Sequence, residues 1–381
     1  MRVTQLHWSE QTGWQTPKAD AQAFDLVLYF GTREALASGA RYRELRTIFP
    51  RAHLLGCSTG GQIRDVEVSD DEIAAVAIRF EATTIRLVTS TVDEISQSTR
   101  CGEEIGRALM ADDLAGIFVL SDGLRVNGGR LVAGITTVIG DDIPLTGGLA
   151  GDGAAFQETM VGADGEPRPG VVGAIGFYGA AIRIGHGSAG GWDAFGPRRR
   201  VTRANGNILL ALDGQPALDL YERYLGEEDV KGLPGTALLF PLIIQDPQRP
   251  QHEVVRTIVG IDRDQRALIF AGDMPEGWMT RLMRGNFDNL AAGAAEAARQ
   301  ANSRFPDAAA GDEVSLLVSC IGRRLLMGQR ITEELEAAAR EMRPMTRVGF
   351  FSYGEISPHA VSGCCELHNQ TMTVTTLSEA A

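Results

Sequence analysis

The sequence predicts a mixed α/β protein with two intimately packed halves, each a mixed β-sheet flanked by helices. Apolar runs of strand length alternate with stretches of helical periodicity, as where 24–30 and 53–57 flank the helical stretch 33–50. The chain has 381 residues, the length of two ordinary domains, and its 44% of hydrophobic residues can form a large core. Its 45 glycines indicate many tight turns.

The first half alternates strands with helices. Because a strand, a helix and a second strand follow one another over 24–57, we expect a parallel pair with a right-handed crossover. The other elements predicted here are strands at 73–80, 84–90 and 114–120, helices at about 93–111 and 129–140, and a hairpin formed by 171–179 and 180–188.

The second half mixes strands and helices in the same way, after a change of sequence texture near 207–225. A proline close to the first turn marks the start of a helix over 216–226. The other elements predicted here are strands at 236–244, 254–261, 266–271, 313–320, 347–353 and 370–377, and helices at 287–303 and 330–342.

The charge balance argues against two classes of partner. The 36 basic and 49 acidic residues leave a net charge of −13, so the surface repels both phosphate backbones and anionic lipid. No apolar run approaches the roughly 18 residues that a membrane span requires, and no signal-peptide pattern is visible. We therefore expect a cytoplasmic protein that binds no nucleic acid and does not insert into membranes.

The five cysteines predict neither a disulfide framework nor a zinc site. They form an odd set without C-x-x-C spacing, and two of them, Cys364 and Cys365, are adjacent in the chain. Adjacent cysteines rarely pair without strain, and the zinc motifs use other spacings.

The segment Gly56–Gly60 reads G-C-S-T-G and fits the G-x-S-x-G nucleophile elbow of serine hydrolases. A working elbow needs a strand before the serine and a helix after it, which supports the oxyanion. The apolar strand is present, but the following residues 60–72 show no helical period. A strand-end turn that exposes backbone N–H groups therefore fits better, with Cys57, Ser58 and Thr59 lining a pocket.

Other strand ends carry residues suited to ligand binding. Gly147, Gly148 and Asp152 lie in a glycine-rich turn that lacks the lysine of a phosphate-binding loop. Arg323 follows a predicted strand and could clamp a carboxylate, although an ion pair with Glu333 or Glu334 explains it equally well. Glu355 occupies a further strand end. Small-molecule sites commonly form at the carboxyl ends of strands in α/β sheets.

His186 lies in a stretch of small residues beside Trp192 and Phe195. Glycine neighbours leave room for a bulky planar ligand, and a neutral imidazole is a suitable haem ligand. A histidine that only forms hydrogen bonds within a turn explains the same pattern.

In their order along the chain, these segments resemble the FIST family, a sensory module with an N-terminal and a C-terminal domain. The resemblance implies an extension over 1–23, an N-terminal domain over 24–215 and a C-terminal domain over 216–381. The matching segments are GCSTGG (56–61), TGGLAGDG (146–153), GWDAFGP (191–197), VTRANGNILLALDGQPALDLYERYLG (201–226), SCIGRR (319–324), GFFSYGEISP (349–358) and LHNQTMTVTTL (367–377).

The resemblance implies a non-enzymatic sensor for a small ligand, with output through a separate partner such as a histidine kinase or a cyclic-di-GMP enzyme. Standalone family members of similar length include nitric-oxide-sensing haem proteins, and His186 is the position that would match their haem ligand. We therefore expect a haem-binding nitric-oxide sensor, and a homodimer is an open option.

Two alternatives stay open. One is a haem-free sensor of an amino acid or similar metabolite, in which Arg323 and Glu355 bind the ligand's carboxylate and amine beside the turns at 56–61 and 147–152. The more distant one is a hydrolase with Ser58 or Cys57 as its nucleophile.

Overall fold

The computed structural model describes residues 1–15, 23–303 and 311–380. Its α-helices are α1 (Arg33–Leu36), α2 (Ala40–Ile48), α3 (Ser98–Leu109), α4 (Gly128–Ile139), α5 (Ala217–Tyr224), α6 (Glu227–Lys231), α7 (Phe287–Ser303), α8 (Ile321–Met327) and α9 (Thr332–Arg340).

The strands of the first half are β1 (Arg2–Ser9), β2 (Gly13–Gln15), β3 (Leu26–Gly31), β4 (His53–Ser58), β5 (Gln62–Arg64), β6 (Glu67–Ser69), β7 (Glu72–Arg79), β8 (Thr84–Thr91), β9 (Leu114–Ser121), β10 (Leu145–Leu149), β11 (Val161–Ala163), β12 (Val171–Tyr178) and β13 (Ile182–Ala189). Those of the second half are β14 (Trp192–Asn205), β15 (Ile208–Leu212), β16 (Gln215–Pro216), β17 (Leu242–Gln245), β18 (Glu253–Arg256), β19 (Ile258–Asp262), β20 (Ala267–Phe270), β21 (Met279–Gly285), β22 (Val314–Cys320), β23 (Thr346–Ser352), β24 (Gly354–Pro358), β25 (Cys365–His368) and β26 (Met372–Glu379).

Three six-stranded sheets repeat one arrangement. The first has the order β11-β4-β3-β7-β1-β2, the second β25-β24-β10-β9-β12-β8, and the third β13-β26-β22-β23-β5-β6. Each contains one parallel pair, β3–β4, β9–β10 or β22–β23, with an antiparallel strand beside the earlier member of that pair. The parallel pair predicted over 24–57 is confirmed.

The later strand of each parallel pair leads into the next sheet. After β4 the chain crosses to the third sheet, where β5 pairs with β23. After β23 it crosses to the second sheet, where β24 pairs with β10. After β10 it returns to the first sheet, where β11 pairs with β4. The carboxyl ends of all three pairs therefore meet in one region.

The three sheets enclose a shared apolar core. Leu28 and Phe30 of the first sheet, Phe118 of the second and Leu316 and Phe350 of the third belong to one buried cluster. The rings of Phe30 and Phe350 stack with centroids 4.8 Å apart. Helices cover the outer faces, with α1 and α2 on the first sheet, α3 and α4 on the second, and α7 and α9 on the third.

The fourth sheet has eight strands and a core of its own. Its order is β18-β17-β21-β14-β15-β20-β19, with β16 paired to β15. Leu218 and Tyr221 of α5 pack into this core with Leu209, Leu268 and Phe270.

The predicted fold class is confirmed, since several mixed sheets are flanked by helices. The predicted hairpin over 171–188 is wrong, because β12 lies in the second sheet and β13 in the third. The predicted helix over 33–50 is divided into two helices by Gly39, whose φ of 68° cannot belong to a right-handed helix. The predicted strand over 236–244 begins instead as a short 3₁₀ helix at Gly235–Leu239.

None of the helices in the described part of the chain combines the length and the apolar character needed to cross a membrane.

The first test concerns Glu379, which ties the chain ends together. Its carboxylate accepts hydrogen bonds from the N–H groups of 81–83 and lies 3.0 Å from the α-amino group of Met1. Burial alone raises its pKa, but the hydrogen bonds outweigh burial and lower it from 4.5 to about 2. Above pH 4.5 we expect Glu379→Gln to lower the free energy of unfolding by about 2 kcal/mol.

This deficit should shrink as the pH falls from 4.5 to about 2, because the unfolded chain protonates this carboxyl there while the native carboxylate stays ionised, and urea unfolding across that range measures it. Glu81→Gln is the control, since the Glu81 side chain is 64% exposed and should change stability by at most about 0.5 kcal/mol. Equal effects of the two substitutions would contradict the assignment.

Candidate functional site

An open cleft lies where the carboxyl ends of β3, β4 and β22 meet. Its volume is about 460 Å³, within the range typical of small-molecule sites. We call it the arginine cleft, and it is lined by Thr32, Arg33, Glu34, Thr59, Gly60, Gly61, Asp70, Asp152, Gly153, Ala154, Ile321, Arg324, Leu325, Gly328 and Ile331.

The turn after β4 forms the floor of the arginine cleft. Thr59 Oγ1 accepts a hydrogen bond from the N–H of Gly61 and donates to the carbonyl of Gly31. Gly61 has a φ of 126°, which residues with a side chain rarely adopt. A Cβ atom on Gly60 would lie 2.6 Å from Ile321 Cδ1. Gly61 is therefore needed for the chain to cross between sheets here, while a side chain on Gly60 would displace the end of the Ile321 side chain.

Arg33 lies on one side of the cleft, immediately after β3. Its guanidinium contacts Glu34 at 2.9 Å, Asp152 at 3.3 Å and the side chain of Gln157 at 3.2 Å, and its side chain is 24% exposed. The cleft-lining position and this exposure leave Arg33 accessible to a ligand.

Asp152 organises the segment that returns to the first sheet. Its Oδ2 accepts hydrogen bonds of 2.9 Å from the N–H groups of Gln157 and Glu158, and its Oδ1 accepts one from the hydroxyl of Tyr353. Burial alone would raise the pKa of Asp152, but these hydrogen bonds lower it. Asp152 therefore carries a negative charge at neutral pH.

Arg324 lies on another side, on α8. Its guanidinium contacts Asp70 at 2.7 Å, donates to the carbonyl of Gly60 and lies over the ring of Phe351. Its side chain is 19% exposed. Two accessible guanidinium groups and the exposed carboxylates of Glu34 and Asp70 thus line one cleft, which suits a ligand with both a carboxylate and an amine.

Cys57 and Ser58 lie beneath this floor, and both are fully buried. Ser58 Oγ accepts a 2.9 Å hydrogen bond from the N–H of Met160, and burial raises the pKa of the Cys57 thiol well above its usual value. A buried hydroxyl and a protonated, buried thiol are poorly placed to act as nucleophiles. Thr59 is the member of the predicted trio that reaches the cleft.

Arg323 points away from the cleft. It is fully buried, forms an ion pair of 2.7 Å with Glu334 and donates to the carbonyls of Gly190, Leu290 and Gln370. This is the ion pair that the sequence offers as the alternative to carboxylate clamping. This cluster holds α8 to α9, to α7 and to the turns before β14 and β26, and removal of one partner would leave a buried charge.

Glu355 is also fully buried, at the start of β24. Its carboxylate accepts hydrogen bonds of 2.6 Å from the hydroxyl of Ser352 and 2.9 Å from that of Thr371. Burial raises its pKa from 4.5 to about 7. Glu355 therefore faces the protein interior and not the arginine cleft.

Gly147 and Gly148 lie in β10, beneath the cleft. A Cβ atom on Gly147, whose φ is 136°, would meet the backbone of Val119 on the neighbouring strand. One on Gly148, the residue opposite Glu355, would lie 2.7 Å from the side chain of Val318. Both glycines allow close packing of strands and provide no ligand contact.

The three residues predicted to hold haem lie in different places. His186 is 9% exposed and pairs with Thr375 within the third sheet. The indole N–H of Trp192 donates to the carbonyl of Gln370 at 2.8 Å. Phe195 lines a separate cavity of about 20 Å³ in the fourth sheet, which is far too small for a porphyrin. Among the residues that the structure describes, no group of three or more His, Cys, Asp or Glu side chains is arranged to hold a metal ion.

Sequence reasoning missed the charged residues Arg33, Glu34, Asp70 and Arg324 of the cleft lining, and also Tyr353, whose hydroxyl holds Asp152. Arg33 follows a strand end just as Arg323 does, so the strand-end argument could have found it. Arg324 is adjacent to Arg323, and only the helix that begins at Ile321 decides which of the two faces the cleft. The Tyr353 hydroxyl donates a hydrogen bond to the carbonyl of Gly153, 200 residues earlier in the chain, and no sequence pattern predicts this contact.

The second test asks whether Cys57 is reactive. Four cysteines are buried and Cys364 is partly exposed, so we expect iodoacetamide to modify Cys364 in the folded protein and all five cysteines after unfolding. Intact mass measurement counts the adducts. The control, Cys364→Ser, should stay unmodified when folded. Rapid modification of Cys57 in that variant, or fluorophosphonate labelling of Ser58, would restore the hydrolase hypothesis.

The third test concerns Glu355. Since its native pKa is about 7 and its ordinary value is 4.5, the folded protein binds a proton between these pH values that the unfolded chain does not. Its contribution to stability should therefore rise as the pH falls from 8 to 5, by about 2 kcal/mol. Glu355→Gln should remove this pH dependence of the urea midpoint. Parallel profiles of wild type and variant would contradict the assignment.

Comparison with known proteins supports the sequence resemblance. The FIST N domain matches residues 25–215 and the FIST C domain matches residues 217–358. No match was found among the curated proteins. FIST domains sense small ligands in signal transduction. Since the two domains cover most of the chain, the protein belongs to the FIST family of ligand-sensing proteins.

Proposed function

We propose that this protein is a non-enzymatic sensor whose ligand, an amino acid or a similar small zwitterion, binds in the arginine cleft. The observation that carries the proposal is the presence of two partly exposed arginines, Arg33 and Arg324, on a cleft that also presents the exposed carboxylates of Glu34 and Asp70. A guanidinium binds a carboxylate through two N–H groups, and a carboxylate binds an ammonium group.

The cleft is also well placed to change with its ligand. Arg33 contacts the segment that returns to the first sheet, and Arg324 contacts the turn that leads to the third. A ligand that draws these guanidinium groups from their present partners would favour one arrangement of the two segments over another. We propose that a separate signalling protein, such as a histidine kinase or a cyclic-di-GMP enzyme, distinguishes the two states.

Haem-dependent sensing of nitric oxide through His186 stays a prediction from the family resemblance. The residues around His186 do not fit a haem in this arrangement, because His186 borders neither the arginine cleft nor the small cavity beside Phe195. The proposed mechanism therefore uses no haem. Haemin titration of wild type and His186→Ala tests the prediction, since an equal Soret shift in both would exclude His186 as the ligand.

The fourth test is a thermal-shift and calorimetric screen with amino acids and the corresponding amines and carboxylic acids. A ligand present at 100 times its Kd adds about 2.7 kcal/mol to the stability of the native state and raises the Tm. We expect zwitterions to bind, while the amine or acid alone binds more weakly. Arg324→Gln should weaken binding about 10- to 100-fold, because a charge-assisted hydrogen bond is lost.

The control is Arg107→Gln, which removes the same charge from an exposed ion pair on α3, outside the cleft. It should leave the affinity unchanged. Equal losses in Arg107→Gln and Arg324→Gln would mean that net charge and not the cleft governs binding. Failure of every zwitterion to raise the Tm would overturn the proposed ligand class.

A further inference from the structure

A second cavity lies on the other side of Ile321 from the arginine cleft, where the second sheet meets the fourth. Its volume is about 130 Å³. We call it the junction cavity. Its apolar wall consists of Ile95, Leu124, Val126, Leu149, Phe156, Leu238, Val259, Phe270, Ala271, Ile321 and Tyr353, and its polar residues are Asn127, Asn207, Thr257 and Cys320.

Most of the polar groups of this wall are already paired. Asn127 accepts a hydrogen bond from the N–H of Arg130 and donates to Asp273, and Asn207 donates to the carbonyl of Phe270. These side chains hold the surrounding loops in place. They therefore have little left to offer a ligand.

The hydroxyl of Thr257 is different. Thr257 is 4% exposed, and its Oγ1 has no hydrogen-bond partner in the described part of the chain. Its backbone is fully engaged, since the N–H donates to Asn369 and the carbonyl accepts from Ala271. A buried hydroxyl without a partner costs stability unless something supplies one. The side chain that lines an apolar cavity thus lacks one hydrogen bond.

The mouth of the junction cavity is apolar as well. Ile95 is 52% exposed and Val259 is 41% exposed. Both line the cavity, and they come from different halves of the chain. Exposed aliphatic side chains at the rim of an apolar cavity favour the entry of an apolar molecule over that of an ion.

We propose that the junction cavity is a second binding site, for a small ring-sized apolar molecule that carries one hydroxyl or carbonyl group. The ring would occupy the apolar wall, and its oxygen would pair with the hydroxyl of Thr257. An apolar protein cavity of about 150 Å³ accepts a benzene ring, so the size agrees. The site is separate from the arginine cleft and does not depend on the function proposed there.

The test compares phenol with benzene by calorimetry and by thermal shift. We expect phenol to bind with a Kd on the order of 1 mM or lower, and benzene to bind about fivefold to tenfold more weakly because it lacks the hydrogen bond. Thr257→Val replaces the hydroxyl with a methyl group of similar size, so it should abolish the preference for phenol while benzene binds nearly as before. The same variant should raise the Tm of the free protein, because it removes the unpaired group.

Two further variants complete the test. Ala271→Leu adds three carbon atoms to the cavity wall and should abolish the binding of both probes, while circular dichroism confirms that it folds. Thr89→Val removes a hydroxyl from β8, outside the cavity, and should change neither affinity. Lack of phenol binding at 10-fold above the expected Kd, an unchanged preference in Thr257→Val, or undiminished binding in Ala271→Leu would each overturn the proposal.

Discussion

The arrangement of the three six-stranded sheets depends on three strand crossings that meet at one point. At this point, Gly60 donates a hydrogen bond of 2.7 Å to the carbonyl of Phe351, Tyr353 donates one of 3.2 Å to Leu149, and Gly151 donates one of 2.9 Å to Ser58. Each bond joins a crossing segment to the next sheet, so the three form a closed cycle. No sheet can change its register without disturbing the other two, and the carboxyl ends of the parallel strands are forced together.

This constraint explains the G-x-S-x-G sequence without catalysis. Gly56 is needed because a Cβ atom there would meet the backbone carbonyl and the ring of Tyr29. Ser58 is needed to hold the segment before β11, through the N–H of Met160. The small residues of the motif thus serve the crossing, while its last turn supplies the floor of the arginine cleft.

Most of the elements could be predicted from sequence, and the way they assemble could not. Helix 287–303 and the parallel pair of 24–57 follow from apolar periodicity, which is a local property. Which sheet a strand joins depends on contacts distant in sequence, so 171–188 looked like a hairpin although its two strands join different sheets. Periodicity also cannot distinguish a buried arginine from an exposed one, so the sequence does not show that Arg324 lines the cleft while Arg323 is buried.

The same crossing gives the two sites a common wall. Ile321 lines both the arginine cleft and the junction cavity. Tyr353 lines the cavity, stacks on Phe156 with ring centroids 4.5 Å apart, and donates its hydroxyl to Asp152 in the cleft. A movement of Asp152 would therefore be passed to the Tyr353 ring on the opposite side. Ligands of the two sites that favour different positions of this ring would influence each other's affinity reciprocally.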